Sequence, residues 1–360
     1  MKKICFLSGD MSRTGGTERV TAMIANELSK TPQYKVHVLS VTNEQMSSFF
    51  KLEKTVYHDA VLRQPTINLK RDYFKVVSGI RQYIKKHEID ILIEVDVICN
   101  LYTIPATRFT KTRIISWEHF NYYSNNGSKL RDLSRKLTKY FSNHIITLTE
   151  QDRQNYSQGL NVSDKVTCIY NPIQLVEAQP YNTDSKQILS VGRLTYQKGF
   201  DLLCEVAKEV LNQNPDWTWV IIGEGEDRAM LEQKIKEYHL ENRLILKGNQ
   251  KEMEPYYRNS SLYVMTSRYE GLPMTLLEAK SYQLPIVSFD CQTGPRDLIL
   301  NEQNGYLVED NNIPLMIKKL NKLVSNVSLR KEFSSQSLVD IEKLGMDEII
   351  SKWISLLEVI

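Results

Sequence analysis

The chain has 360 residues, of which 41% are hydrophobic, 25% charged and 9% aromatic, a folded globular composition that excludes disordered, collagenous and coiled-coil proteins. At roughly 100–200 residues per domain, this length fits two domains. The net charge of +3 conceals a division: residues 1–170 hold 25 Lys and Arg against 16 Asp and Glu, or +9, and the remainder 21 against 27, or −6.

A one-sided basic field points to a polyanionic partner, whether anionic lipid, a lipid-linked phosphate or nucleic acid. Five cysteines, Cys5, Cys99, Cys168, Cys204 and Cys291, are scattered without a CxxC pair or a histidine cluster, so neither a zinc site nor a disulfide framework is expected. That usage fits a reducing cytosol. The opening MKKICFLSGD carries two lysines, but its apolar run, residues 4–7, is too short for a signal peptide and reads as a strand. No stretch approaches the roughly 18 apolar residues of a bilayer span.

Short β-branched runs alternate with amphipathic, helix-length segments, the pattern of parallel sheets wrapped by helices. In the first half, strands are expected at 3–8, 35–41, 90–95, 113–116, 144–148 and 165–170. Between the first two, residues 18–29 place Val20, Met23, Ile24 and Leu28 at helical spacing. After Asn171-Pro172 the pattern restarts, with strands at 187–191, 217–222, 243–246, 262–265 and 285–289. The polar segment 174–186 is the natural linker. Two doubly wound domains follow, 1–172 and 173–345, and ligands of such folds bind at the carboxyl ends of the strands, in a cleft between the halves. Residues 346–360, with Ile349, Ile350, Trp353, Ile354 and Leu357, form a last amphipathic helix.

Three loop motifs carry chemistry. Gly9 to Thr17 joins a strand to a helix and contains Gly15-Gly16, a pair that lets backbone N–H groups reach an anion and that equally suits a plain turn. It is neither the dinucleotide fingerprint nor a P-loop. Ser190-Val191-Gly192-Arg193-Leu194-Thr195-Tyr196-Gln197-Lys198-Gly199 places Arg193 and Lys198 on one loop, where two cations can converge on a diphosphate. Ser267 to Ala279 places Glu270 before a helix opened by Pro273 and Glu278 inside it. The N–H groups of Gly271, Leu272, Met274 and Thr275 are available there to phosphate oxygens.

Glu270-x7-Glu278, together with Gly192-Arg193…Lys198-Gly199, Gly223-Glu224-Gly225 and Gly15-Gly16, resembles a family 4 retaining glycosyltransferase of the GT-B fold, over almost the whole chain. The resemblance implies an acceptor-binding first domain, a second domain that binds a nucleotide-diphosphate sugar, and a last helix, 346–360, that crosses back to the first domain. It implies that Arg193, Lys198, Gly16, Gly271, Leu272, Met274 and Thr275 hold the donor diphosphate. Glu278, Gly223 and Lys247 then surround the ribose and base, and Glu270 contacts the donor sugar. Trp117-Glu118-His119 ends a first-domain strand; His119 is chosen as the sugar-contacting histidine, with Glu118 as an alternative contact for the acceptor. Asp290 to Asp297 resembles a turn of bacterial polysaccharide-building members and otherwise reads as a simple Gly294-Pro295 turn.

Glu94-Val95-Asp96 has the look of a metal-binding carboxylate pair, but it ends a first-domain strand, and Arg193 and Lys198 already supply leaving-group charge; no metal and no cofactor are expected. Residues 128–142 carry Lys129, Arg131, Arg135, Lys136 and Lys139 among Leu130, Leu133, Leu137, Tyr140 and Phe141. This is a basic amphipathic helix, either of the membrane-surface kind or packed by its apolar side into the core with a solvated basic face. With Lys70, Arg71, Lys75, Lys85 and Lys86, it points to peripheral attachment at an anionic inner leaflet, where a polyprenyl-diphosphate-linked glycan would be presented. No nucleic-acid motif accompanies the charge. The reading is a cytoplasmic, membrane-peripheral transferase of a hexose or N-acetylhexosamine from a UDP-sugar to a growing surface glycan. Its rivals are a UDP-sugar 2-epimerase on the same fold and a non-catalytic scaffold.

Overall fold

The structure, a computed structural model, describes residues 1–125, 127–173, 176 and 181–360. Of the linker expected at 174–186, residues 174, 175 and 177–180 lie outside the described residues; beyond them, the Tyr181 hydroxyl donates to the Ser261 carbonyl at 2.6 Å. The chain divides into two compact units, Met1–Pro172 with Met346–Ile360, and Ile173–Gly345.

The first unit is a seven-stranded parallel sheet in the order β3-β2-β1-β4-β5-β6-β7. Its strands are β1 (Lys2–Ser8), β2 (Tyr34–Thr42), β3 (Tyr57–Leu62), β4 (Ile91–Val95), β5 (Arg113–Trp117), β6 (His144–Thr147) and β7 (Val166–Cys168). The helices are α1 (Gly16–Ser29), α2 (Leu69–His87), α3 (Asn100–Thr107), α4 (Lys129–Phe141) and α5 (Glu150–Leu160). Central strands such as β4 are buried along their whole length because both faces are covered, as in a parallel sheet wrapped by helices. β3 is absent from the sequence expectation: it is an edge strand with no fully buried residue in Tyr-His-Asp-Ala-Val-Leu, so no apolar run announces it.

The second unit is a six-stranded parallel sheet, β10-β9-β8-β11-β12-β13. It comprises β8 (Gln187–Val191), β9 (Thr218–Ile222), β10 (Leu244–Leu246), β11 (Leu262–Met265), β12 (Ile286–Phe289) and β13 (Gly305–Val308). Its helices are α6 (Phe200–Gln213), α7 (Arg228–Glu237), α8 (Glu254–Arg258), α9 (Met274–Ser281), α10 (Pro295–Leu298), α11 (Ile313–Val324) and α12 (Val327–Gln336). β13, four residues long and opened by glycine, is also missing from the sequence reading. One core cluster of this unit runs from Phe200 and Leu203 through Trp219 to Leu320 and Phe333.

The last helix, α13 (Met346–Val359), belongs to the first unit. Ile349, Trp353 and Leu357 are fully buried, and Trp353 meets Phe6 of β1 and Trp117 of β5 at ring distances of 6.0 and 4.9 Å. An aromatic trio of this kind is worth more than its buried area because edge-to-face contacts add to it. No helix among the described residues is long and apolar enough to cross a membrane.

Candidate active site

A parallel sheet opens a crevice at the carboxyl ends of its strands where strand order reverses. In the second unit that reversal falls between β8 and β11, neighbours in space although β9 and β10 intervene in the chain. The loop leaving β8 carries Arg193 and Lys198; the loop leaving β11 carries Glu270.

Leu194 anchors the first of these loops. It is fully buried, its N–H donates to the Glu224 carbonyl at 2.9 Å, and its own carbonyl accepts from the Asp227 N–H at 3.0 Å. With Leu194 turned inward, Arg193 is exposed. Lys198 ends a single 3-10 turn closed by Gly199 at φ 64°. A side chain at Gly199 would overlap the Thr266 carbonyl, so glycine is what allows the β8 and β11 loops to touch. Gly223, at φ 144°, is bound by the same logic against the Gly192 carbonyl.

The touching loops bring Lys198 Nζ to 2.6 Å from Glu270 Oε1, with the two side chains 18% and 6% exposed. Glu270 is therefore a buried carboxylate whose charge is balanced by a cation that still reaches solvent. Arg268 holds this pair in register. Its backbone N–H donates to the Gln197 carbonyl at 2.8 Å, its guanidinium makes two bonds to Asp201 at 2.8 and 2.6 Å, and it lies 4.0 Å over the Tyr196 ring. A planar fork gripped by a carboxylate and an aromatic face keeps one orientation. Sequence spacing did not single out Arg268, whose partner Asp201 is 67 residues away.

Pro273 stands at the N-cap of α9, one position earlier than the sequence suggests. The first helical N–H to find a carbonyl is that of Leu276, which donates to Pro273 at 3.0 Å, so the N–H groups of Met274 and Thr275 precede the helical ladder. The Gly271-Leu272-Pro273 turn is tied from behind by Thr293, whose hydroxyl donates to the Glu270 carbonyl at 2.5 Å. The 290–297 turn thus has a structural task, which its sequence alone did not announce. Glu278, half-buried inside α9, accepts from the Tyr257 hydroxyl at 2.5 Å, and Tyr257 stacks on Tyr282. Gly223 and Lys247 follow the adjacent strands β9 and β10; the Gly223 N–H donates to the Gly248 carbonyl at 3.0 Å, and Lys247 is exposed.

Gly16 and His119 lie in the first unit. Gly16 opens α1, but the Glu18 side chain folds back against Gly15, so an anion approaching the Gly16 N–H meets a carboxylate. Of the residues read as diphosphate ligands, Gly16 has the least suitable surroundings. His119 follows β5 with its ring 4.3 Å from that of Trp117, and its Nε2 has no hydrogen-bond partner among the described residues. Burial pushes its imidazole down to about 4, so the ring is neutral near pH 7.

Glu118 is not available to an acceptor, a correction to the sequence reading. It is fully buried, accepts from Arg135 Nε at 2.9 Å, from the Phe120 N–H at 3.0 Å and from the Tyr156 hydroxyl. Glu94 is likewise enclosed, accepting from Ser116 at 2.6 Å and from Thr103, and burial raises its carboxyl to about 8. Asp96 pairs with Arg131. Among the described residues no group of three His, Cys, Asp or Glu is placed to hold a metal ion.

Comparison with known proteins joins this geometry to a family. Residues 14–177 match the model of Glycosyltransferase Family 4, and residues 174–338 that of Glycosyl transferases group 1. An uncharacterized glycosyltransferase of Haemophilus influenzae is 32% identical over 98% of this chain and 99% of its own. The amylovoran biosynthesis glycosyltransferase AmsD of Erwinia amylovora is 31% identical with the same coverage. The solved structure of HepE from Anabaena in complex with UDP-glucose superposes with a TM-score of 0.83 over the whole of both chains at 16% identity, which makes the fold GT-B. With both family models matched and relatives of this identity over nearly the full length, the chain belongs to glycosyltransferase family 4.

Proposed function

We propose that the protein is a retaining, metal-independent glycosyltransferase that moves a hexose or N-acetylhexosamine from a UDP-sugar to a lipid-linked or growing glycan in bacterial surface-polysaccharide synthesis. The observation that carries this reading is the meeting of Lys198 and Glu270 at the switch point of the second sheet, with Arg193 on the same loop as Lys198. A UDP-glucose complex among its structural neighbours supports the donor, and a relative in amylovoran biosynthesis supports the product.

In this reading the second unit holds the donor. Lys198 has three N–H donors, one of which serves Glu270, leaving others for a phosphate oxygen. Arg193 and the N–H groups of Gly271, Leu272, Met274 and Thr275 add charge and dipole where the diphosphate leaves. Glu278 accepts from ribose hydroxyls, Gly223 and Lys247 border the base, and Glu270 holds the sugar. The anomeric C–O bond to the diphosphate breaks first, with its electron pair passing to the phosphate oxygen. The acceptor hydroxyl bonds to the same face of the anomeric carbon, and its proton passes to the leaving phosphate, so no protein base is needed. The first unit takes the acceptor and supplies His119 as a neutral partner for a sugar hydroxyl.

The test is a panel of UDP- and GDP-sugars, with melting temperature and nucleotide release measured for each. One UDP-sugar should raise the melting temperature and be slowly hydrolysed. If no donor binds, the transferase reading fails. With an acceptor in hand, a product of inverted anomeric configuration, or turnover abolished by a chelator, would overturn the retaining and metal-independent parts separately.

A further inference from the structure

An amphipathic surface helix normally turns its apolar stripe inward. α4 does the reverse. Its buried residues are Arg131, Ser134, Arg135 and Thr138, all polar, whereas Leu130, Leu133, Tyr140 and Phe141 are 41, 47, 72 and 49% exposed. The alternative in which the apolar side packs into the core is thereby excluded.

The cause lies under the helix. Asp96 and Glu118, at the carboxyl ends of β4 and β5, are carboxylates that must be paired where water is scarce. Arg131 binds both oxygens of Asp96 at 2.5 and 2.8 Å, and Arg135 binds Glu118 at 2.9 Å. Arginines one turn apart, with Ser134 and Thr138 on the same side, commit that face of α4 to the interior. The apolar residues are left outside. Tyr140, Leu133, Leu137, Leu130 and Phe141 fall within an arc of roughly 100° at 3.6 residues per turn. Lys129 and Lys136 are exposed along one margin of that arc, and Lys139 is half-buried beyond them.

A stripe of this size on a water-soluble surface marks a site that something covers. Its surroundings choose the occupant. The one acidic residue of α4, Asp132, is engaged by Asn125 at 3.0 Å, while Lys129 and Lys136 are exposed. α2 packs on α3, and α3 on α4; the first turns of α2 expose Leu69 and Phe74 among Lys70, Arg71 and Lys75, repeating the apolar and basic mixture. A second copy would set lysine against lysine, whereas anionic headgroups complement them and the acyl region accepts the leucines and aromatic rings.

We propose that α4 is a membrane-seating helix whose outward Leu130, Leu133, Tyr140 and Phe141, with half-buried Leu137 between them, enter the interfacial layer of an anionic bilayer while Lys129 and Lys136 meet its headgroups. The seat is formed by α4 and the carboxylates beneath it, so it does not depend on the transferase reading, and its test needs no sugar.

The full chain is floated with vesicles of phosphatidylcholine alone and with vesicles that are one third phosphatidylglycerol. It should float with the anionic vesicles, and high salt should release most of it. Leu133→Gln with Tyr140→Gln should lower the partition coefficient at least about tenfold through lost apolar burial. Lys129→Gln and Lys136→Gln should each lower it about fivefold at low salt. Melting temperatures should stay at the wild-type value, because these side chains face solvent. Failure to float with anionic vesicles would overturn the proposal, as would variants that float like the wild type. A wild-type dimer in light scattering that Leu133→Gln with Tyr140→Gln converts to monomer would do so too, by making a second copy the occupant.

Discussion

At the carboxyl edge of the first unit's sheet, Glu94, Asp96 and Glu118 are closed off by Thr103, Ser116, Arg131, Arg135 and Tyr156, whereas at the same edge of the second unit Glu270 is paired with Lys198, which borders solvent. Arg131 and Arg135 are 8 and 3% exposed in their side chains; Lys198 is 18% exposed and Arg193 lies open. One fold thus uses the same position in two ways. Where the cation is a buried guanidinium held by a carboxylate beneath it, the ion pair is architecture. Where it is an ammonium beside an open loop, the pair still reaches solvent.

Four substitutions would break or sharpen that contrast. Arg135→Met strands a buried carboxylate and should cost about 3–5 kcal/mol in denaturant melts. A variant as stable as the wild type would show that the Glu118 network is not structural. Lys198→Ala should lower turnover a hundredfold or more, about 2.7 kcal/mol of transition-state stabilisation; near wild-type kcat would remove its assigned role. Glu278→Ala should weaken UDP binding by about 1.5–3 kcal/mol, the worth of hydrogen bonds to a charged group, as read by calorimetry. Unchanged affinity would sink the ribose assignment.

The smallest effect concerns pH. Because burial raises the Glu94 carboxyl to about 8, the folded state holds its proton more tightly than the unfolded chain does. Its contribution is therefore full below the ordinary carboxyl value of 4.5 and is lost as pH rises from there through about 8. Glu94→Gln should flatten that loss, on the order of 2 kcal/mol in urea midpoints between about pH 6.5 and pH 9. His119 has the opposite sign: with its imidazole pushed down to about 4, stability falls as pH drops below about 6.5. A wild-type profile with no decline between about pH 6.5 and pH 9 would place a charged Glu94 in the core.

Much of the sheet architecture is legible because a parallel strand covered on both faces is mostly apolar, as Ile91, Leu92, Ile93 and Val95 are around Glu94. β3 escapes notice because an edge strand has no such requirement, and β13 because four residues carry no period. Arg193, Lys198, Glu270 and Glu278 are visible as loop chemistry beside strand and helix signals. The Lys198–Glu270 pair is not visible, since its members are 72 residues apart and meet only because β8 and β11 are adjacent. Arg268, Thr293 and Tyr257, which hold the loops and Glu278, lack any local signature for the same reason.

α4 marks the limit most clearly. Its sequence alone determines a basic, amphipathic helix, because helical spacing is a local property of the chain. Which face turns inward is decided by Asp96 and Glu118, 35 and 17 residues upstream of the arginines they bind, and by the cost of leaving a carboxylate unpaired beneath a helix. The chain order alone likewise determines the alternation of strands and helices. Only the tertiary structure decides which charges are sealed and which stay open, because pairing in space follows strand adjacency and burial, neither of which is written in any one stretch of residues.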